Sequence, residues 1–287
     1  MSFSTDGSLP KASFVSGDQI PPEIVLLKDG ESGRIAEYIR TLRRLPVAPR
    51  WILVGGLAVN VRVGRAHRAT NDIDTVSPDQ DGLVEILVSF DDTDPISAAK
   101  VQFHDPEVEV DVMDSTDGRE LPLAERDRMF ALARRFAMRS ALTVTIGTVD
   151  EEGCITERVD VEVASQAALV ILKTLSFPER IDGSYRYKVG SDVQDLDRLV
   201  EREDLDVLAA AIVECGPELA RFTAGELRHY FAAGTSDLRY THTRMRSFAR
   251  NADSLAITED ALSILGVLGE TIEELVEARA RDIHGSG

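Results

Sequence analysis

Apolar positions Ile35, Tyr38, Ile39, Leu42 and Leu45 recur on one helical face, predicting a helix over Gly33–Leu45 that Pro46 and Pro49 stop. The short apolar run Trp51-Ile52-Leu53-Val54 then reads as a buried strand entering a tight turn at Gly55-Gly56, with a helix over Leu57–Val63 leaving it. Asp72-Ile73-Asp74-Thr75-Val76 alternates acidic and apolar residues, the period of a strand with one polar face, and Pro78 closes it. A helix over Gly82–Phe90 follows. Two strands come next, Val101–Phe103 and Val108–Met113, separated by His104-Asp105-Pro106 and placing Glu109 and Asp111 on one face. Leu142–Val149 and Ile155–Val163 predict a hairpin across Asp150-Glu151-Glu152-Gly153, giving a lobe of four to six strands. Residues 1–22, rich in Ser, Gly and Pro, show no sustained period and are expected to form a loosely ordered arm.

From Ser165 onward the period becomes helical. Segments Ser165–Leu175, Asp192–Glu201, Asp204–Cys215, Ala224–Ala232 and Glu259–Arg281 are predicted, the last broken near Gly266 or Gly269. The expected architecture is a bilobed α/β protein: a mixed-sheet lobe over residues 1–164, followed by a mainly helical lobe over residues 165–287.

Composition narrows the function. The 287 residues carry 32 Lys plus Arg against 50 Asp plus Glu, a formal net charge of −18, which excludes a generally basic nucleic-acid-coating protein; no DNA partner is expected. Two cysteines, Cys154 and Cys215, cannot form a disulfide framework and are expected to be buried thiols. With no basic-then-apolar leader and no run of about 18 apolar residues, the chain is expected in the cytoplasm and off the membrane. The histidines show no zinc spacing, and neither a Walker loop nor a dinucleotide fingerprint is present.

The segment that carries chemistry is Gly55-Gly56 followed by Asp72-Ile73-Asp74. Two carboxylates one residue apart on a strand share a face, and a hard divalent cation relieves their repulsion while orienting a nucleoside triphosphate. Glycines at the start of a helix allow close backbone approach and direct N–H groups toward phosphate. Either feature alone also fits an ordinary turn or a solvated strand face. Their succession reads as a phosphoryl-transfer site.

This order of strand, glycine pair, helix and Asp-x-Asp strand resembles the DNA polymerase β-like nucleotidyltransferases, and more finely the AbiEii type of nucleotidyltransferase toxin, including the MenT group. The finer likeness spans most of residues 50–200 and rests on Thr70-Asn71-Asp72-Ile73-Asp74, Leu172-Lys173-Thr174 and Ser191-Asp192-Val193-Gln194-Asp195-Leu196; Ser191 stands where the family pattern has Lys. The resemblance implies a third carboxylate from a later strand, Asp111, with Glu109 as its rival. It implies Mg²⁺ (or Mn²⁺) held by Asp72, Asp74 and Asp111, and an NTP contacted by Gly55, Gly56, Thr70, Lys173 and Asp192. Catalytic roles fall to Asp72, Asp74, Asp111, Lys173 and Asp195.

Lys173, in an otherwise apolar helix, needs an anion or a carboxylate beside it. Asp192 also fits a helix N-cap, with Asp195 facing elsewhere. Arg62, Arg65 and Arg68, within an Arg-rich stretch whose one acid is Glu37, are candidates for an acceptor RNA or a polyphosphate; Arg126–Arg139 form a second cluster, and salt-bridged helices explain both equally well. The resemblance further implies transfer of a nucleoside monophosphate to the tRNA 3′ end, a block of translation, and a cognate antitoxin protein. The alternatives are transfer to a protein or to a small molecule such as an aminoglycoside, and a silent module that binds nucleotide or a partner without turnover. Thr70 is a candidate for regulatory phosphorylation, since added charge would repel triphosphate.

Overall fold

The computed structural model describes residues 23–28, 34–68, 70, 72–150, 153–181, 183, 185–201, 203–249 and 251–285. The expected arm over residues 1–22 and the tip of the hairpin at Glu151 and Glu152 lie outside them.

The first strands and helices are β1 (Glu23–Lys28), α1 (Ile35–Arg44), β2 (Ile52–Val54), α2 (Gly55–Val63), β3 (Asp72–Ser77), α3 (Gln80–Val88), β4 (Thr93–Ser97), β5 (Lys100–His104), β6 (Glu107–Asp114), α4 (Glu125–Ser140), β7 (Leu142–Val149) and β8 (Ile155–Val163). They build a mixed sheet of eight strands among the described residues, ordered β1-β7-β8-β2-β3-β6-β5-β4. The predicted four to six strands miss both edges. In β1 Val25 and Leu27 are buried, while Ile24 and Leu26 stay exposed. The edge strand β4 is polar and holds Pro95, which an edge tolerates because one side needs no ladder donors.

Helices follow: α5 (Gln166–Ile181), a 3-10 turn (Arg186–Lys188), α6 (Val189–Glu201), α7 (Leu205–Val213), α8 (Pro217–Phe231), α9 (Ser236–Ser247), α10 (Ala252–Ala256) and α11 (Glu259–Gly285). Helix α5 runs past the predicted Leu175 and through Pro178, because Phe177 and Ile181 are wholly buried and tertiary packing outweighs the lost donor. Helix α9 has no predicted counterpart. Helix α11 is unbroken, contrary to expectation. Gly266 and Gly269 face α8, where an added Cβ would lie 2.6 Å from the Phe231 carbonyl oxygen and 2.9 Å from that of Ala224. They serve close helix packing, not a break. No described helix is long and apolar enough to cross a membrane.

Both cysteines are free. Cys154 is exposed, which corrects the expectation of two buried thiols, and burial pushes the Cys215 thiol up to about 12. Helices α2, α5 and α6 pack on one another beside β2 and β3, setting the helical part against the carboxylate strand.

Candidate active site

Helix α2 begins directly where β2 ends, so Gly55 opens it with φ +67°, in the left-handed region that glycine adopts without cost. No side chain caps this end, and Gly55 and Gly56 line the same cleft as Asp72 and Asp74. The absence of a Cβ at Gly55 is also spatial: one would stand 1.8 Å from Asp74 Oδ2. At Gly56 a Cβ would meet Arg68 Nη2 at 2.6 Å and Thr70 Oγ1 at 3.0 Å.

Strand β3 runs parallel to β6 with Asp72 beside Glu109 and Asp74 beside Asp111. Burial, then the Asp72 charge and more weakly Asp111, push the Asp74 carboxyl up to about 6, and burial and Asp72 also raise Asp111. Lys100 on β5 faces Asp111 across the ladder, with Nζ 3.2 Å from Glu109 and 3.7 Å from Asp111. Among the described residues no three His, Cys, Asp or Glu side chains form a ready-made metal cage. The donor set is nevertheless all hard oxygen, and burial followed by repulsion from neighbouring carboxylates raises Asp74 and Asp111, so a hard divalent cation that draws its remaining ligands from phosphate fits it.

The cleft has a volume of about 1250 Å³ and is lined by Gly55, Gly56, Arg65, Arg68, Thr70, Asp72, Asp74, Lys100, Lys173, Arg180, Lys188 and Asp192, among others. Asp111 and Asp195 are not part of that lining. Thr70 is buried; its hydroxyl donates to the Asp72 carboxylate at 3.3 Å, and its carbonyl accepts from the buried Tyr38 hydroxyl.

A second charged cluster forms the wall opposite. Lys173 Nζ lies 2.8 Å from Asp192 and 2.7 Å from Asp195. Arg68 grips Asp195 with Nε at 2.7 Å and Nη2 at 2.6 Å, His67 Nε2 lies 2.9 Å from the same carboxylate, and Arg180 Nε lies 3.2 Å from Asp192. Burial alone would raise Asp195, but Arg68 and Lys173 outweigh it and hold the carboxyl well below its ordinary value; burial likewise opposes the Lys173 charge, which Asp192 and Asp195 restore.

This geometry corrects several expectations. Helix α6 starts at Val189, so Asp192 sits inside its first turn instead of capping it, and Asp192 and Asp195, three residues apart, turn to the same side. Asp195, with its side chain wholly buried, offers no atom to a substrate; it positions Lys173, Arg68 and His67. Arg68 is committed to Asp195. Arg62, nearly buried, donates to the Ala164 and Val163 carbonyls at 2.8 and 2.7 Å and stands apart from the cleft, whereas Arg65 is half exposed on its lining. The wider Arg-rich stretch disperses into ion pairs: Arg43 with Glu157, Arg44 with Asp92, Arg50 with Glu162. Arg126 and Arg128 of the second cluster pair with Glu179 and Glu218. Sequence reasoning missed His67 and Lys100. The burial of His67 has no local signal, while Lys100 was visible only as one of five lysines in the chain.

A mixed sheet that sets two aspartates of one strand beside a third on its parallel neighbour, against a glycine-opened helix, defines a nucleotidyltransferase. The chain belongs to the family described as the nucleotidyl transferase AbiEii toxin of type IV toxin–antitoxin systems, whose family model matches residues 39–221. Among solved structures it is similar to an antigenic nucleotidyltransferase-like protein from Paracoccidioides brasiliensis, at 18% identity over 67% of this chain and 91% of that one, with a TM-score of 0.37. It is also similar to the antibiotic-resistance factor ANT(2'')-Ia, at 17% identity over 68% and 92%, with a TM-score of 0.34. No curated protein matches the chain.

Proposed function

We propose that the chain transfers a nucleoside monophosphate from an NTP to the 3′-terminal hydroxyl of tRNA, releasing pyrophosphate, and thereby blocks translation in the cytoplasm until an antitoxin protein restrains it. The observation that carries the reading is the placement of Asp74, seated on Gly55 at the start of α2 and directly beside Asp111 in the β3–β6 register. Asp72, Asp74 and Asp111 would hold Mg²⁺ or Mn²⁺, which when bound neutralises charge on the triphosphate and its leaving pyrophosphate.

The remaining roles belong to the chain itself. The N–H groups of Gly55 and Gly56 receive phosphate oxygens at the α2 amino terminus. Lys173 uses two of its three donors on Asp192 and Asp195, which leaves one for a phosphate oxygen. The Asp192 and Asp195 charges keep it protonated in a buried setting. Asp111 takes the proton of the attacking hydroxyl once Lys100 has moved aside. Thr70 orients Asp72, and its buried hydroxyl becomes a phosphorylation site only if this segment opens. The sheet lobe through residue 164 and the helical lobe from residue 165 act as the two walls around the nucleotide.

The test is incubation of the purified chain with each labelled NTP, Mg²⁺ or Mn²⁺, and total tRNA, beside Asp72→Ala. Label on the tRNA 3′ end that Asp72→Ala fails to add supports the reading. Label on protein or on an added aminoglycoside in place of tRNA would replace the acceptor, and no label with any NTP would leave a nucleotide-binding module without turnover.

A further inference from the structure

The turn between α5 and α6 reads Tyr185-Arg186-Tyr187-Lys188, alternating ring and cation within a protein of net charge −18. Tyr185 is 51% exposed and Tyr187 44%, so both rings present a face to solvent. Their centroids lie 6.4 Å apart with planes inclined at 58°, so the two rings form one faceted surface. The Arg180 guanidinium lies 5.1 Å from the Tyr185 ring, and its Nε is tied to Asp192. The platform is therefore anchored to the Lys173 wall. Arg180, Tyr187 and Lys188 line the cleft that holds Asp72 and Asp74. Among the described residues neither Arg186 nor Lys188 forms a salt bridge, whereas the Arg-rich stretch before Asp72 is largely paired.

We propose that Tyr185 and Tyr187 stack an unpaired base at the end of a single-stranded nucleic-acid acceptor, with Arg186 and Lys188 on the flanking phosphates. Exposed rings interleaved with cations are how proteins hold single strands without reading sequence, because every base offers a stacking face. An end that is already unpaired presents such a face; a duplex hides it. Tyr187 lines the cleft and Tyr185 lies outside its lining, whereas the triphosphate anchors proposed above lie at α2 and Lys173, so the paired rings lead from the cleft outward and suit a base arriving with the acceptor. This assignment rests on the proposed nucleotidyl transfer and adds the surface that selects a polynucleotide.

The experiment measures anisotropy of a fluorescein-labelled single-stranded RNA with a free 3′-hydroxyl, titrated with the full chain carrying Asp72→Asn, so that binding is read apart from turnover. Tyr185→Ala with Tyr187→Ala is expected to weaken binding by about 5- to 150-fold for each stacked base. Phe at both positions keeps the rings and the affinity. Arg186→Ala is expected to flatten the dependence of log affinity on log salt by about 0.7. Tyr185→Ala alone, whose ring lies outside the cleft lining, is expected to leave the binding of ATP, GTP, CTP and UTP as in the parent.

RNA affinity unchanged in the double Ala variant overturns the assignment, as does a loss confined to NTP affinity or a parent that binds no RNA. The two readings separate in a transfer assay on the chain with Asp72 restored. RNA held by the tyrosines but never labelled would sink the transfer reading and leave the platform. RNA labelled equally well with and without the rings would sink the platform alone.

Discussion

The carboxylate of Asp74 occupies the space that a side chain on Gly55 would fill: a Cβ there would lie 1.8 Å from Asp74 Oδ2. Two demands meet at one residue, since Gly55 also holds φ +67°, which costs an L-residue about 1–2 kcal/mol. Gly55→Ala is expected to lower the melting temperature and to displace Asp74. An ångström of misplacement at a reacting centre costs about 100-fold in rate, so transfer should fall by at least that much. Gly56→Ala is the comparison, because its φ is ordinary and the atom it meets first is the far end of the Arg68 side chain. It should melt closer to the parent. A Gly55→Ala protein with parental melting temperature and activity would remove the close approach from the account.

Register distinguishes the two candidates for the third carboxylate. Asp111 pairs with Asp74, and Glu109 pairs with Asp72 at the start of β3; both reach Lys100. Asp111→Asn is expected to reduce nucleotidyl transfer by about 10²–10⁴-fold, the range for loss of a positioned base. Glu109→Gln, which keeps the side chain's shape, should stay within about tenfold of the parent, the base itself being untouched. Initial rates with saturating NTP decide between them. Equal losses would mean that the pair acts through Lys100 and not through Asp111 alone.

Much of this site was legible in short-range pattern. Alternation over Asp72–Val76 placed both aspartates on one face, and the run before Gly55 marked the strand, although α2 starts at Gly55 itself and not after a turn at Leu57. Its partners were not legible, because they are made across long separations. Asp195 meets His67 and Arg68 from 128 and 127 residues away, and a three-residue spacing on α6 shows only that Asp192 and Asp195 share a side, not what lies there. The Arg-rich stretch left two readings equally open for the same reason: acids absent nearby in sequence return as Glu157, Glu162 and Asp92 in space and favour the ion-paired one. The edge strands escaped notice because an edge needs only half of a strand's usual pattern. Val25 and Leu27 of β1 face the core while their neighbours do not.

The buried cluster around Asp195 makes a prediction about acid. Its carboxyl is held well below the ordinary aspartate value of 3.8, chiefly by Arg68 and Lys173 against the opposing effect of burial. The unfolded chain therefore binds this proton at a higher pH than the folded chain does. The associated stability is complete above about pH 5 and is lost as pH falls through 4 toward the folded pKa. Asp195→Asn, which leaves two cations without their shared partner, should cost about 3–5 kcal/mol at neutral pH. Denaturant titrations of both proteins at pH 7 and near pH 3 test this. The gap between them should narrow in acid, and a gap of the same size at both values would mean that the carboxylate charge is not what holds the cluster.

Helix α11 offers a case in which propensity and packing oppose each other. Replacing a mid-helix glycine with alanine gains about 1 kcal/mol from propensity when the site is open. Gly266 is not open. An added Cβ would lie 2.6 Å from the Phe231 carbonyl oxygen, 2.9 Å from its carbon and 3.0 Å from Ala232 Cα, all of them backbone at the end of α8. No rotamer change can relieve such a contact, so α8 and α11 must separate, and overpacking of this kind costs about 1–3 kcal/mol. Separation also strains Phe231, whose buried ring packs 5.3 Å from that of Phe177 on α5, the helix that carries Lys173. Gly266→Ala is thus expected to destabilise the protein despite its better helix propensity, whereas Gly225→Ala on α8, where nothing stands within 4 Å, should be neutral or stabilising. Thermal melts of the two variants give opposite signs if packing governs, and a rise in both would show that the helices can part without cost.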